Sequence, residues 1–397
     1  MVEKPLNILF VTNNYTPYSG GVVSSINAIA QELMLQRHRV TIITLDFLGD
    51  GHGDDPSYVR RIMCPIKFRY KKNCMAIPWR MDEQLMAHVT DMQPDIIHAH
   101  HPWLLGGAAL RVARTVQIPI VFTYHTLYEH YAHYVPLPQC ITRIAIRWLV
   151  KYYCKSVDGV IAPSIAVRAY LDLLVPRVSV TTLPSPVAHD FFTNRSVGAI
   201  QKSKQVFRLL YVGRLVQEKN LQVLIDLIAM LSRTKSITFT LTLVGYGEYR
   251  EQLENYAYHI VGLSHDEVMF LGKQERQSLA MLYTHYDVFV FSSQSDTQGL
   301  VLAEAMACGL PVVALDGPGQ RDIIEHGKNG FLVHSLADMS KMIQDLANNH
   351  NLYFCLSDYA RRTATRYEPH HITQALLDEY DNFVTARAHS RKSNSLL

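Results

Sequence analysis

A chain of 397 residues is long for one ordinary domain and suits two, and with 48% hydrophobic against 18% charged residues it can bury a large core. No run of 18 apolar residues occurs, which argues against a membrane-spanning helix, and the six scattered cysteines form no C-x-x-C pair and read as reduced cytosolic thiols. The net charge of +3 is uneven: residues 1–190 hold 18 Lys and Arg against 14 Asp and Glu, residues 191–397 hold 20 against 21, and this moderate basic balance without a recognisable nucleic-acid module argues against nucleic acid as a partner.

Residues 1–5 lead straight into an apolar strand at 6–12, without the pattern of a signal peptide. Further strands are expected at 40–45, 96–99, 120–123 and 159–162, with helical patterns between them at 22–36, 82–90, 104–115 and 141–154. This alternation is doubly wound α/β logic. The stretch 183–205 interrupts it, with prolines at 184 and 186 and the polar runs Asn194-Arg195-Ser196 and Lys202-Ser203-Lys204. A second alternating set follows: strand 207–212, helix 220–233, strand 238–244, helix 248–262, strand 268–271, then a strand at 287–291, a helix from about 300 and a strand at 312–315. A last helix is expected over 371–388. The domain reading is therefore 1–190, a linker at 191–205, a second domain at 206–370 and a terminal helix at 371–397.

The most informative stretch is FSSQSDTQGLVLAEAMACGLPVVALDGPGQRDIIEHGKNGFLV, residues 291–333. A strand ends in a polar loop with Asp296 and Gly299, and a helix opening at Leu300 carries Glu304 in its second turn. Ligands of open α/β sheets bind at the carboxyl ends of strands, and helix N-termini attract phosphate. Two carboxylates beside such an anion site suit sugar hydroxyls. A second motif, Val212-Gly213-Arg214-Leu215-Val216-Gln217-Glu218-Lys219-Asn220, ends a strand at a glycine and places two cations five residues apart. A diphosphate needs such compact positive charge, although a solvated basic loop reads the same way locally. Asn220 is expected to cap the next helix.

The 291–333 stretch resembles the donor-binding signature of retaining GT-B glycosyltransferases of family 4, in which two glutamates separated by seven residues flank a glycine. Aspartate stands at 296 where the common form has glutamate, which leaves the donor sugar open. The second motif resembles the family's G-R-L-x-x-E-K-N. The resemblance implies two Rossmann-like domains facing across a cleft, with the last helix crossing back to the N-terminal domain. It implies that Arg214 and Lys219 bind the donor diphosphate, with Glu218 orienting them. Glu304 would hold the ribose, Asp296 the sugar ring, and Gly299 and Leu300 would present backbone N–H groups; Gly245 would also lie at the donor. The pair Gly20 and Gly21 after the first strand reads locally as a tight turn, and the family places a glycine pair there facing the phosphates.

The run Thr123-Tyr124-His125-Thr126-Leu127-Tyr128-Glu129-His130-Tyr131-Ala132-His133-Tyr134 follows a strand end and looks like the diacylglycerol glucosyltransferase branch. The resemblance puts His125 near the reacting centre, while His130 and His133 stay open to a structural role. Ile97-His98-Ala99-His100-His101-Pro102 puts His98 and His100 on one strand face; without a third ligand or a D-x-D triplet no metal and no cofactor are expected. The acceptor side is expected to include His100, Tyr128 and His133.

Arg143, Arg147, Lys151 and Lys155 recur every fourth residue as one basic helix stripe, with Ile144, Ala145, Trp148, Leu149 and Tyr152 adjoining. Such a stripe is either a solvated face or a contact for anionic lipid, and the basic cluster from Lys67 to Lys72 would serve the same face. The expectation is a cytoplasmic enzyme, peripheral on the inner face of the cell membrane. It would move a hexose from a nucleotide diphosphate sugar to a lipid hydroxyl. The rival readings are the same fold acting on a lipopolysaccharide, polysaccharide or soluble acceptor, and a non-catalytic nucleotide-sugar-binding regulator.

Overall fold

The computed structural model describes residues 4–16, 18, 20–47, 55–70, 73–129, 138–192, 206–233 and 237–394. Residues 193–205 of the linker expected at 191–205, together with His130 and His133, lie outside them. The chain divides into unit 1, residues 1–184 with 369–397, and unit 2, residues 185–368.

Unit 1 comprises β1 (Asn7–Val11), α1 (Gly21–Leu35), β2 (Arg39–Leu45), β3 (Val59–Ile62), β4 (Ile66–Tyr70), β5 (Asn73–Ile77), α2 (Met81–Met92), β6 (Ile96–Ala99), α3 (Leu105–Val116), β7 (Ile120–Thr123), α4 (Gln139–Cys154), β8 (Gly159–Ala162), α5 (Ile165–Leu174) and β9 (Val180–Thr182). Seven strands form a parallel sheet in the order β3-β2-β1-β6-β7-β8-β9, and β4 and β5 form a separate antiparallel hairpin. Strand residues alternate between two cores: Leu9, Val11, Ile43 and Ile97 face one, and Ile8, Phe10, Ile42 and Ile96 the other. The second core also takes in Ile372, Leu376, Leu377 and Tyr380, so the terminal helix packs as part of unit 1.

Unit 2 comprises β10 (Val206–Val212), α6 (Gln222–Leu231), β11 (Thr238–Val244), α7 (Arg250–Asn255), β12 (Val268–Gly272), α8 (Arg276–Tyr283), β13 (Val288–Phe291), α9 (Leu300–Ala307), β14 (Val312–Leu315), α10 (Pro318–Arg321), β15 (Gly330–Val333), α11 (Leu336–Asn348) and α12 (His350–Ala364); the terminal helix is α13 (Pro369–Asn394). Its sheet is also parallel, in the order β12-β11-β10-β13-β14-β15. The strand order reverses between β1 and β6 in unit 1 and between β10 and β13 in unit 2. Doubly wound sheets open a crevice at such switch points.

Three local expectations change. Asn220 does not cap α6: it ends a 3-10 turn at Gln217–Lys219 in the left-handed region, which asparagine tolerates, and Leu221 holds the cap position. The helix expected over 248–262 is shorter, because after Asn255 the backbone widens into a π turn, Tyr256–Ile260. Lys67 points inward and pairs with Asp46, so it does not add free charge to an outer face.

Candidate active site

In unit 2 the loops after β10 and β13 meet at the switch point. Arg214 follows β10, and its Nη2 lies 3.4 Å from Glu218 Oε1, an ion pair within the loop. Lys219 Nζ donates to Asp296 Oδ1 at 2.6 Å, joining the two loops through their opposite charges. Both partners are largely sheltered, with side-chain exposures of 12% and 23%, so this pair is screened less than a surface pair. Asp296 Oδ2 is buried without a hydrogen bond among the described residues, an acceptor left over for another donor group. Ser292 Oγ donates to Lys219 O at 2.8 Å and ties the loops a second time.

Glycines let these loops approach. Gly245, with φ +143°, and Gly247 follow β11. A Cβ on them would come within 1.8 Å of Gly213 O and 2.0 Å of Leu215 O. The two loops also exchange backbone hydrogen bonds, Gly213 N to Val244 O and Leu215 N to Tyr246 O. Gly299 sits at φ +70° as the N-cap of α9, the left-handed conformation that lets the helix start at Leu300. A Cβ on Gly319 would fall 2.7 Å from Asp296 O, to which the Gly319 N–H donates at 3.1 Å.

Glu304 lies in the second turn of α9, buried, and accepts from Tyr283 Oη at 3.2 Å. Burial raises its carboxyl to about 7, while the Tyr283 hydrogen bond and the Arg276 charge act in the opposite sense. Gln298 is also buried; its side chain accepts from Ser185 N at 3.0 Å and donates to Ser185 O at 3.1 Å. That clamp fixes the first residue of unit 2 to the Asp296 loop.

In unit 1 the groups at the strand ends are neutral. His98 shares hydrogen bonds with Tyr380 Oη at 2.5 Å and Thr123 Oγ1 at 2.7 Å, so both of its ring nitrogens are engaged. Its ring stacks on that of His100, as the shared strand face requires, at a centroid distance of 4.4 Å. His100 Nδ1 lies 2.9 Å from His125 Nε2, directly past the end of β7. His101 Nδ1 accepts from Asn13 N at 3.2 Å, and Asn13 in turn accepts from Leu105 N at 3.1 Å. Burial lowers His98 and His125 to about 3 and His101 to about 4, and it lowers His100 as well. Tyr128 is buried beside Trp103, and its hydroxyl has no hydrogen-bond partner among the described residues. Gly20 and Gly21 are exposed at the start of α1, where an added Cβ would meet nothing within 4 Å. Packing among the described residues therefore does not require glycine at either position.

The structure thus brings Arg214, Lys219, Gly245, Asp296, Gly299, Leu300 and Glu304 to one switch point in unit 2, and His100 and His125 into contact in unit 1. Gln298, Tyr283 and Gly319 were missed as contributors. Gln298 stood inside the quoted motif. Tyr283 lies 21 residues before its partner and carries no local signal.

Two parallel sheets of this kind, with cations and carboxylates at one switch point, define a doubly wound α/β protein whose ligand site lies at the strand carboxyl ends. Residues 19–191 match the family described as Glycosyltransferase Family 4, and residues 193–363 match Glycosyl transferases group 1. The chain is 30% identical over 350 residues to an alpha-monoglucosyldiacylglycerol synthase of Streptococcus pneumoniae, covering 85% of this chain and 77% of that protein. It is 25% identical over 384 residues to the enzyme of the same name from Acholeplasma laidlawii, covering 89% and 91%. Anabaena HepE, solved in complex with UDP-glucose, superposes with a TM-score of 0.72 at 19% identity, covering 95% and 100%. The chain belongs to the GT-B glycosyltransferases, with a family 4 N-terminal domain and a group 1 C-terminal domain, and it is a transferase enzyme.

Proposed function

We propose that the protein moves a glucosyl group from UDP-glucose to a lipid hydroxyl such as that of diacylglycerol, with retention and without a metal. The observation that carries this reading is the convergence of Arg214 and Lys219 with Asp296 and Glu304 at the unit 2 switch point. Arg214 and Lys219 meet the charge that builds on the departing diphosphate, which is usually the largest catalytic effect. Asp296, with one buried oxygen unpartnered among the described residues, accepts from sugar hydroxyls, and Glu304 accepts from the ribose. The acceptor oxygen bonds to the anomeric carbon on the face from which the phosphate leaves. The carbon–phosphate oxygen bond breaks with its electron pair going to the diphosphate. The acceptor proton passes to that leaving oxygen, so no protein general base is needed. His125, held neutral, supplies a hydrogen bond to the sugar.

The lipid acceptor rests on the names of the two synthases and on α4. There Arg143, Arg147, Lys151 and Lys155 are exposed, and so are Ile144, Trp148 and Tyr152. An exposed face that is both basic and apolar suits the interface of an anionic bilayer better than water alone. Among the described residues no helix is long and apolar enough to cross a membrane, so the contact would be peripheral. Arg147 also pairs with Glu129 at 3.0 Å, which leaves the other three cations without an ion pair among the described residues.

The test is a screen of purified protein with UDP-glucose, UDP-galactose and GDP-mannose against diacylglycerol in anionic vesicles, with and without EDTA. The reading expects glucosyl transfer from UDP-glucose that survives EDTA. Failure to transfer or hydrolyse any nucleotide sugar would return the protein to a binding role. Loss of activity on chelation, restored by Mn²⁺, would reject the metal-free mechanism.

A further inference from the structure

The β4–β5 hairpin has two unlike faces. Residues directly opposite in an antiparallel pair share a face. The register sets Lys67 against Ala76, Ile66 against Ile77 and Phe68 against Met75. Lys67 pairs with Asp46, and Ala76 packs on the core beneath the sheet, so this face points inward. The other face holds Ile66, Phe68, Met75 and Ile77, which remain 55%, 42%, 45% and 48% exposed. Met63 and Trp79 at the root are exposed as well. An isolated two-stranded hairpin is marginal in water, yet this one is tied down. Gln84 of α2 accepts from Met63 N at 2.8 Å and donates to Trp79 O at 2.5 Å. The root is thus fixed by a side chain while four large apolar groups stay uncovered among the described residues. Contiguous patches of that kind mark interaction surfaces.

Charge and position identify the occupant. From Pro56 to Met81 the sequence has seven basic residues and no acidic one; Arg61, Lys67 and Arg80 pair with Asp55, Asp46 and Glu83, which leaves an excess of four positive charges. Trp79 at the root suits the headgroup level, where indole rings collect. Two hairpins facing each other would bring like charges together, which disfavours a second copy of this chain.

We propose that the outer face of the β4–β5 hairpin inserts into the upper acyl layer of an anionic bilayer, as a second membrane element in addition to α4. This rests on the peripheral reading of the preceding section. The two elements divide the work. The cations of α4 act through charge, which salt screens over about 8–10 Å. The hairpin acts through apolar burial, which salt does not weaken.

The experiment is co-sedimentation with vesicles of phosphatidylcholine, alone or with 30 mol% phosphatidylglycerol chosen as the probe composition, at about 0.1 M and about 1 M salt. Three proteins are compared: wild type, the hairpin variant Ile66→Ser/Phe68→Ser/Met75→Ser/Ile77→Ser, and the α4 variant with its four basic residues changed to glutamine. Thermal unfolding checks that each is folded. The hairpin variant should lose the salt-resistant part of binding, on the order of tenfold or more. The α4 variant should lose the salt-sensitive part. Should the quadruple variant not fold, Phe68→Ser/Met75→Ser replaces it. Quenching of Trp79 by brominated lipid in Trp103→Phe/Trp148→Phe protein, where it is the one remaining tryptophan, then gives an independent reading and should be strong. Equal high-salt binding of wild type and hairpin variant, or unquenched Trp79, overturns the inference while leaving α4 as the membrane element. A wild type that binds no vesicle sinks the peripheral reading and this inference together. A wild-type dimer dissolved by the hairpin substitutions, with no change in vesicle binding, assigns the face to a second copy and also overturns the inference.

Discussion

In unit 2 the carboxyl ends of β10 and β13 deliver Arg214 and Lys219 with Asp296, and α9 adds Glu304; in unit 1 the ends of β6 and β7 deliver His98, His100, His101 and His125, all held neutral by burial. The sheets share one architecture, so the backbone does not explain the difference. The charged end suits a diphosphate that gains charge as it leaves. The neutral end suits groups that exchange hydrogen bonds with hydroxyls without bringing a net charge. Fold sets where a site lies, and the residues at the strand ends set what it does.

The contrast is broken most severely by removing the cations of unit 2. Arg214→Ala and Lys219→Ala should each lower kcat/KM by about 10²-fold or more, roughly 3 kcal/mol of lost stabilisation of the departing diphosphate. Steady-state kinetics check this, and a variant with near-full activity removes that residue from the account. Gly245→Ala attacks the same site through its backbone. The added Cβ would strike Gly213 O, at a φ that side chains rarely adopt. A loss of about 2–4 kcal/mol is expected in denaturant unfolding, with weakened donor binding.

Acidification should sharpen the contrast by moving the units in opposite directions. His98, His101 and His125 are held at about 3 to 4, below their unfolded value, so the unfolded chain binds more protons as pH falls below 6.5. Their contribution to unit 1 is complete above 6.5 and drains away below it. Glu304 is raised to about 7, so the folded state holds the extra proton there, and unit 2 gains stability as pH falls through 7 toward 4.5. Between pH 7 and 5, hydrogen exchange should show protection falling in β6 and β7 and rising around α9. The same titration predicts tighter donor binding as Glu304 ionises, so KM for the donor should fall from pH 6 to pH 8. Glu304→Gln should flatten that dependence.

The smallest effect is expected at Tyr380→Phe, which removes the hydroxyl bound to His98 and leaves a buried imidazole nitrogen unmet. About 1–2 kcal/mol of stability should be lost, read by urea unfolding, with kcat little changed.

The sequence made the strand-loop-helix frame of both halves legible because buried parallel strands are short apolar runs between breakers. The 238–244, 312–315, 96–99, 120–123 and 159–162 strands fall where the pattern puts them. Asp296 and Glu304 could be placed relative to strand and helix because the signal was local. The β4–β5 hairpin was not legible: its outer face breaks the rule that alternating apolar residues face a core, and Lys67 turns inward to Asp46. The Tyr283 contact with Glu304 and the Gln298 clamp on Ser185 depend on partners 21 and 113 residues away, which no local pattern encodes.

Calorimetric titration of UDP-glucose into the wild type, Lys219→Ala and a control variant, Arg366→Ala, tests the central claim most directly. Arg366 is an exposed cation of unit 2 that pairs with Glu325 at 3.6 Å, away from the loops after β10 and β13. The account predicts that the wild type and the Arg366 variant bind alike and that Lys219→Ala binds more weakly by about tenfold or more. Equal affinity of all three proteins would contradict it, because charge at the unit 2 switch point would then play no part in holding the donor.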